Sequence, residues 1–338
     1  MASNRRTFLK GAGVVGAMAA TSGLTMGNAQ NEPARKSARG MAKNLTVLHI
    51  FGNGERRLGV KTEKGILDVA AAAGILKMHA PATVDDLLQN EDGPSLNALV
   101  DAAAKSNKVA KAYLPESGIE YGPLVTRPEK IVCIGHNYKR HVEEVKAPWP
   151  KQPVVFSKYN SALNWHLGKI KLPVDVAKNF DYEIELVIVM GKTASNVAEA
   201  DALSYVAGYA TGNDFTARDL QYERGGQWLI GKTPDGFAPV GPYMVTADQI
   251  YPQNLKLECR VNGETRQSWN TNDMIFPCKQ LIGYVSKHMT LKPGDIIYTG
   301  TPQGVIYGMP PDKRVWLKPG DKIACSLEKL GELKFELV

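Results

Sequence analysis

The chain has 338 residues, with 41 Lys and Arg residues against 34 Asp and Glu residues, so its formal net charge is +7. Residues 1–43 hold seven of the basic residues and one acidic residue, which leaves a net charge of +1 for residues 44–338. A nearly neutral body excludes the broad basic surface that nucleic-acid binding requires, so no nucleic-acid partner is expected.

The first 29 residues resemble a twin-arginine (Tat) export signal. Arg5 and Arg6 precede Phe-Leu-Lys in "SNRRTFLKGAG", a charge-free run follows, and "GNAQ" offers a small-x-small cleavage site ending at Ala29. We expect a signal over 1–29, a linker over 30–43 and a periplasmic protein; the alternative is an unstructured basic start on a cytoplasmic protein. No segment has the roughly 20 apolar residues of a membrane span, so no stable span is expected.

Residues 44–125 are predicted to form a small α+β domain. "LTVLHIF" and "RRLGVKT" read as two strands joined by the turn "GNGE". "TVDDLLQN" predicts a helix capped by Thr83, and "SLNALVDAAAKS" predicts a second, amphipathic helix. No residue pattern in this segment indicates a catalytic site.

Residues 126–338 change to short β-rich runs separated by turns, with few helices between them. The segments "AEADALSYVAGYA" (198–210) and "PCKQLIGYVSKHM" (277–289) are the main predicted helices. Many short strands with few crossover helices favour an α+β fold, mainly β, built on antiparallel sheet with peripheral helices. The four cysteines are widely spaced and contain no C-x-x-C pair, so spacing predicts no zinc site and names no disulfide.

The segment "FDYEIELVIVMG" (180–191) places Glu183 and Glu185 on one face of a strand whose later residues are apolar on both faces. Two neighbouring carboxylates in a buried setting repel each other and lose hydration. A hard divalent cation, Mg²⁺, Mn²⁺ or Ca²⁺, would resolve both problems because it prefers carboxylate oxygen. The alternative is a solvated strand end.

Two further segments carry candidate residues. In "TGNDFTARDLQ", Asp214 is a third candidate oxygen ligand or an Asx turn, and Arg218 and Gln221 share its face if the segment is helical. In "CIGHNYKRHVEEV", His141 and Glu144 lie three residues apart, which places them side by side on a helix. A carboxylate beside an imidazole suits a general base, and the alternative is an exposed polar helix.

Seven motifs, in this order and spacing, resemble the fumarylacetoacetate hydrolase (FAH) superfamily: "IGHNYKRHVEEV", "DYEIELVIVMGK", "VAGYATGNDFTARDLQ", "GKTPDGFAPVGPYMV", "RVNGETRQ", "LKPGDIIYTGTPQGV" and "LKPGDKI". The resemblance covers residues 131–338 and implies a β-rich core of the fumarylacetoacetase C-terminal type over 126–338, assembled as a homodimer. It implies a divalent metal, Mg²⁺ or Mn²⁺ with Ca²⁺ as a third option, on Glu183, Glu185 and Asp214. It also implies a His141–Glu144 pair on a mobile lid, Lys232 as a catalytic lysine, and substrate contacts from Tyr138, Arg218, Gln221 and Thr301.

The resemblance implies a small-molecule substrate that is a 2-oxo or β-diketo acid. The first hypothesis is a hydrolase that cleaves a carbon–carbon bond of an acylpyruvate-like substrate through a metal-stabilised enolate and water activated by His141 and Glu144. The second keeps the site and changes the reaction to that of a 2-oxo acid decarboxylase, tautomerase, hydratase or lyase. The third is a non-catalytic periplasmic protein that binds 2-oxo acids.

Overall fold

The computed structural model describes residues 39–52 and 54–338. The signal expected over 1–29 and most of the linker expected over 30–43 lie outside the described residues. The helices are α1 Val69–Leu76, α2 Val84–Gln89, α3 Gly93–Lys105, α4 Lys139–Glu144, α5 Arg218–Tyr222, α6 Leu229–Lys232 and α7 Cys278–His288.

Twenty strands accompany these helices within the described residues. They are β1 Thr46–Gly52, β2 Glu55–Thr62, β3 Gly65–Asp68, β4 Tyr113–Leu114, β5 Glu120–Tyr121, β6 Ile131–Gly135, β7 Val154–Lys158, β8 Leu163–Asn164, β9 Gly168–Ile170, β10 Phe180–Asp181, β11 Ile184–Met190, β12 Val206–Asn213, β13 Thr216–Ala217, β14 Ala238–Pro239, β15 Met244–Thr246, β16 Lys256–Val261, β17 Glu264–Asn270, β18 Ile296–Tyr298, β19 Lys322–Leu327 and β20 Gly331–Leu337.

The N-terminal segment forms the predicted hairpin, β1 with β2, and the two predicted helices, α2 and α3. Thr83 caps α2 as expected, because its hydroxyl accepts a hydrogen bond from the Asp86 amide at 3.0 Å. Helix α1 is an addition to the sequence prediction. Asp68 caps it by accepting from the Ala71 amide at 3.2 Å.

The large sheet runs β4-β3-β2-β1-β15-β12-β11-β18-β6-β7, with β5 also paired to β1. Only the β18–β6 pair in this path is parallel, so the predicted antiparallel β core is confirmed. Strand β1 pairs with β15 through Thr46 and Val245, which makes the N-terminal strands part of the same sheet. The domain boundaries at 44–125 and 126–338 stay a prediction.

Strand β11 lies in the middle of this sheet and is buried along its whole length. Ile184, Leu186 and Ile188 pack into a core shared with the five-stranded sheet β17-β16-β19-β20-β9. Val187 and Val189 pack on the opposite face against a core that includes residues of the N-terminal segment. Both faces are covered, which explains why the strand reads as a continuous apolar run.

One predicted helix is wrong and the other is confirmed. Residues 198–210 do not form a helix; after a short 3₁₀ turn at Ala202–Tyr205 the chain enters β12. Gly208 and Gly212 allow this, because a Cβ at Gly208 would lie 2.4 Å from the Val245 carbonyl oxygen of the neighbouring strand. Tertiary pairing therefore overrides the alanine-rich composition. The segment 277–289 forms α7, and no helix within the described ranges is long and apolar enough to cross a membrane.

Candidate active site

Strand pairing brings three carboxylates together. Strand β11 pairs with β12 so that Glu185 lies opposite Gly212, and the Asp214 amide donates to the Glu183 carbonyl at 2.8 Å. Glu183 therefore stands just before β11 while Asp214 stands just after β12. One oxygen from each of Glu183, Glu185 and Asp214 lies within 4.8 Å of the others, and all three residues are buried.

Lys232, at the end of α6, lies between two of these carboxylates. Its ammonium group is 2.7 Å from Glu183 Oε2 and 2.7 Å from Asp214 Oδ2. Burial opposes a charged ammonium, but the charges of Asp214 and Glu183 together raise the pKa of Lys232 above its usual value. Lys232 is thus a fixed cation inside the site.

Arg218, the first residue of α5, holds the other oxygen of Glu183. Its Nη2 lies 2.7 Å from Glu183 Oε1, and its Nε donates to Asp181 Oδ2 at 2.9 Å. Burial opposes ionisation of Glu183, yet the charges of Lys232 and Arg218 hold the pKa of this carboxyl below its usual value. Arg218 also donates to Gln221 Oε1 at 3.1 Å, so the predicted helical neighbours do share a face.

A second buried lysine, Lys158 at the end of β7, contacts the same group of acids. Its ammonium lies 2.6 Å from Asp214 Oδ1 and donates to the carbonyls of Phe215 and Phe237 at 2.9 and 2.6 Å. Three acceptors surround this ammonium, which fixes both the lysine and Asp214 in place.

Glu185 is the carboxylate without a cationic partner. Among the described residues, its hydrogen-bond donor is the Gly300 amide, 2.7 Å from Oε2. Burial, followed by the charges of Asp214 and Glu183, raises the pKa of the Glu185 carboxyl well above its usual value. With all groups ionised, the four acids of the site (Asp181, Glu183, Glu185 and Asp214) exceed its three cations (Lys158, Arg218 and Lys232) by one negative charge.

These residues fit a divalent cation. Three buried carboxylates, with one oxygen of each within 4.8 Å of the others, supply hard oxygen ligands, and the raised pKa of Glu185 means that its ionisation is unfavourable without a further cation. No cluster of His and Cys within the described ranges offers an alternative site of three or more ligands.

His141 and Glu144 lie on α4, beside the carboxylates. His141 Nδ1 is 3.3 Å from Glu144 Oε2, and His141 is buried in the wall of the cavity. Glu144 Oε1 accepts from the Gly304 amide at 2.8 Å, which ties α4 to the loop after β18. Gly308 makes room for this contact, since a Cβ there would lie 2.3 Å from Glu144 Cδ. The geometry leaves Nε2 of His141 as the ring nitrogen that can exchange a proton with a ligand.

A small cavity is lined in part by the three carboxylates. Polar residues of its lining are His136, His141, Gln221 and Thr301, and Phe156 and Trp228 form an apolar wall. His136 follows β6 with a φ of +53°, a left-handed conformation that is uncommon for a residue with a side chain. Burial and the neighbouring His141 lower the pKa of His136 to about 4, so its imidazole is neutral at neutral pH.

The predicted substrate contacts separate into two groups. Arg218, Gln221 and Thr301 line the cavity. Tyr138 does not, because its ring is packed in the core with no exposed surface, and its hydroxyl has no hydrogen-bond partner among the described residues. Direct contact between Tyr138 and a ligand in this cavity is therefore not supported, which corrects the expectation for that residue.

Comparison with known proteins places this site in a family. Residues 130–338 match the family described as fumarylacetoacetate (FAA) hydrolase C-terminal, and residues 3–22 match the twin-arginine translocation pathway signal sequence. The chain belongs to the fumarylacetoacetate hydrolase family. It is therefore an enzyme of the FAH superfamily, and the fold expected from its motifs is confirmed.

Relatives within the superfamily carry several activities. Human "Oxaloacetate tautomerase FAHD2A, mitochondrial" is 40% identical over 273 residues, covering 78% of this chain and 84% of that protein. A putative HpcE protein from Mycobacterium smegmatis has a similar structure, with a TM-score of 0.71, 32% identity, and coverage of 87% and 99% of the two chains. Fumarylpyruvate hydrolase from Pseudomonas aeruginosa, solved with Mn²⁺ and pyruvate, gives a TM-score of 0.57 and 31% identity, covering 63% and 91%.

Sequence reasoning missed four residues of this FAH-family site. Asp181 precedes Glu183 by two positions, so extending the alternation of Glu183 and Glu185 backwards would have found it. Phe156, Lys158 and Trp228 gave no local signal, because packing of distant segments alone brings them to the site.

Proposed function

We propose that this protein is a divalent-metal-dependent enzyme that acts on small 2-oxo acids through their enol form, and that it is an oxaloacetate tautomerase. The observation that carries the proposal is the convergence of Glu183, Glu185 and Asp214 beneath one cavity that also receives His141. The choice of oxaloacetate is supported by the similarity to the human oxaloacetate tautomerase, which is 40% identical.

Glu183, Glu185 and Asp214 would hold the cation, Mg²⁺ or Mn²⁺. When bound, such an ion polarises the 2-oxo group and favours the loss of a proton from the neighbouring carbon. His141, oriented by Glu144, would take that proton at Nε2 and return it, so that the proton moves between carbon 3 and the oxygen on carbon 2. Lys232 and the neighbouring Arg218 would fix the positions of the metal-binding carboxylates Glu183 and Asp214.

The walls of the cavity would supply the remaining contacts with the substrate. Thr301 is fixed by donating to the Ile184 carbonyl at 2.9 Å and accepting from Gln267 Nε2 at 2.9 Å. Gln221 directs its carbonyl oxygen to Arg218, which leaves its amide NH₂ to face a bound carboxylate. Phe156 and Trp228 exclude water from the reacting carbon.

A second candidate is hydrolysis of a carbon–carbon bond in an acylpyruvate-like β-diketo acid. Two observations favour it: the His141–Glu144 pair, which can activate water, and the similarity to fumarylpyruvate hydrolase. In this reaction His141 would take its proton from water instead of from carbon, and the products would be a carboxylic acid and pyruvate.

One experiment separates the two candidates. Protein without residues 1–29 is incubated with Mg²⁺ or Mn²⁺ and either the enol form of oxaloacetate or acetylpyruvate. Loss of the enol's ultraviolet absorbance, with no cleavage of acetylpyruvate by mass spectrometry, supports the tautomerase. Acetylpyruvate cleavage to acetate and pyruvate supports the hydrolase. Turnover of neither substrate, or full activity in Glu183→Ala or His141→Ala, would overturn the assigned roles.

We also propose that the protein is exported to the periplasm, with the match to the twin-arginine signal at residues 3–22 as support. Cell fractionation of the full chain and of Arg5→Lys/Arg6→Lys tests this, because the double variant should stay in the cytoplasm. The expected homodimer is a further proposal. It is supported by the unpaired edge of β7, where Val155 and Tyr159 are exposed apolar residues, and light scattering would test it.

A further inference from the structure

Two cysteines face each other across neighbouring strands behind the proposed metal site. Cys259 on β16 is the direct partner of Cys325 on β19 in an antiparallel pair. Their sulfur atoms are 3.7 Å apart, and both side chains are fully buried. Directly opposed residues of antiparallel strands have Cα atoms about 4.5–5.5 Å apart, which lies within the range that a disulfide bridges.

Cys325 is connected to two of the proposed metal ligands through one side chain. Its sulfur accepts a hydrogen bond from Asn213 Nδ2 at 3.3 Å. The other end of the same amide, Asn213 Oδ1, accepts from the Glu183 backbone amide at 3.2 Å, and Asn213 directly precedes Asp214. The position of Cys325 Sγ is therefore coupled to the backbone that carries Glu183 and Asp214.

We propose that Cys259 and Cys325 form a cross-strand disulfide when the folded protein meets a small hydroperoxide, and that this bond weakens divalent-cation binding at the neighbouring carboxylates. The effect on cation binding rests on the proposed metal site, whereas the disulfide itself does not. A disulfide joins the sulfurs at about 2 Å. Oxidation thus draws Cys325 towards Cys259 and away from the Asn213 amide, which then stops fixing the Glu183 backbone.

The chemistry balances with one hydroperoxide, here hydrogen peroxide, for each disulfide. The Asn213 N–H stabilises negative charge on Cys325, whose sulfur attacks one peroxide oxygen and breaks the O–O bond, giving a sulfenic acid and hydroxide. Cys259 then attacks the sulfenic sulfur; the S–S bond forms, the S–O bond breaks, and water leaves. Both sulfurs are oxidised, both peroxide oxygens are reduced, and the two thiol protons end in the two water molecules.

The oxidant must be small, because neither thiol has exposed surface. Hydrogen peroxide is small and neutral, whereas a protein oxidase could not reach the pair in the folded chain. A twin-arginine signal would deliver a folded protein to a compartment in which disulfides persist. Burial raises the pKa of the Cys259 thiol well above its usual value, so the reaction is expected to be slow.

The test uses the chain without its signal, treated with hydrogen peroxide, quenched, and compared with untreated protein. We expect the intact mass to fall by two hydrogen atoms, two of the four cysteines to resist alkylation after unfolding, and a peptide map to join Cys259 to Cys325. Calorimetry should show Mn²⁺ binding weaker by about tenfold or more, since partners that orient ligands have effects of that size. Reduction with dithiothreitol should restore the Mn²⁺ affinity.

Two variants keep the result interpretable. Cys259→Ala retains the Cys325–Asn213 contact but cannot form the disulfide, so on peroxide treatment Cys325 should gain one oxygen atom and no pair of hydrogen atoms should be lost. Cys278→Ala removes another buried thiol and should behave as the unchanged protein. In the unchanged protein, oxygen addition without a Cys259–Cys325 peptide overturns the disulfide. A mapped disulfide with unchanged Mn²⁺ affinity overturns the coupling, and a lack of Mn²⁺ binding in untreated protein instead refutes the metal site.

Discussion

Replacing Glu185 by glutamine should have opposite effects on stability with and without a divalent cation. Glu185 is buried and has no ion-pair partner among the described residues, and the amide oxygen of glutamine can still accept from the Gly300 amide. The pKa of the folded carboxyl lies well above its usual value, so the metal-free protein loses stability as pH rises through that pKa. Glu185→Gln removes this loss, and its metal-free melting temperature at pH 7.5 should equal or exceed that of the unchanged protein.

With metal the order reverses, because the variant loses one of three charged ligands. A cation at 100 times its dissociation constant stabilises the folded protein by about 2.7 kcal/mol. If the substitution weakens binding roughly 100-fold, the same metal concentration stabilises the variant by only about 0.4 kcal/mol. The difference of about 2.3 kcal/mol corresponds to roughly 3–4 °C in melting temperature for a protein of this size.

Differential scanning fluorimetry with EDTA and then with MnCl₂ at pH 7.5 measures both effects. Glu264→Gln is the matched control, since its carboxylate is exposed and its melting temperatures should follow the unchanged protein in both conditions. The reasoning is refuted if Glu185→Gln is markedly less stable than the unchanged protein in EDTA, or if Mn²⁺ raises both melting temperatures equally.

Three further outcomes are expected. His141→Ala should lower kcat by about 10²–10⁴-fold, the usual contribution of a general base. Glu144→Gln should lower kcat less, because its amide oxygen can still accept from the Gly304 amide. Steady-state kinetics with Mn²⁺ measures both effects. Lys232→Met should destabilise the metal-free protein by about 3–5 kcal/mol, measured by urea unfolding, because it removes a buried cation that Glu183 and Asp214 share. Mn²⁺ should recover part of the loss. Between pH 6.5 and 4, His136 takes up a proton in the unfolded chain but not in the folded chain, where its pKa is about 4, so the melting temperature falls as the pH is lowered. His136→Gln should make this fall smaller.

Local periodicity predicted which side chains lie side by side, but the resemblance to the family was needed to interpret them as a metal site and a general base. The alternation in "FDYEIELVIVMG" placed Glu183 and Glu185 together, and the structure brings both beside Asp214. The spacing of His141 and Glu144 likewise predicted their contact on α4. Each of these signals needs only a few residues of regular backbone.

The rest of the site depends on contacts distant in sequence. Lys158 reaches Asp214 across 56 positions, from β7, and no residue near it in the chain indicates that contact. The segment 198–210 was predicted as a helix from its alanines, but pairing of β12 with β11 and β15 decided its conformation. Tyr138 has the residue type expected of a substrate contact, yet core packing turns its side chain away from the cavity.

The charges of the site also set the order in which ligands can bind. Without a divalent cation, an ionised Glu185 gives the acids of the site one charge more than the basic groups, and this excess repels an anionic 2-oxo acid. Protonation of Glu185, which its raised pKa favours, removes the excess but leaves no net attraction. A divalent cation bound to the ionised carboxylates makes the net charge +1, so the same cavity then attracts a carboxylate. Lys232 and Arg218 cannot provide this attraction themselves, because Glu183, Asp214 and Asp181 already neutralise them. Cation binding should therefore come before substrate binding, with the cation acting as the group that makes the cavity receptive to an acid.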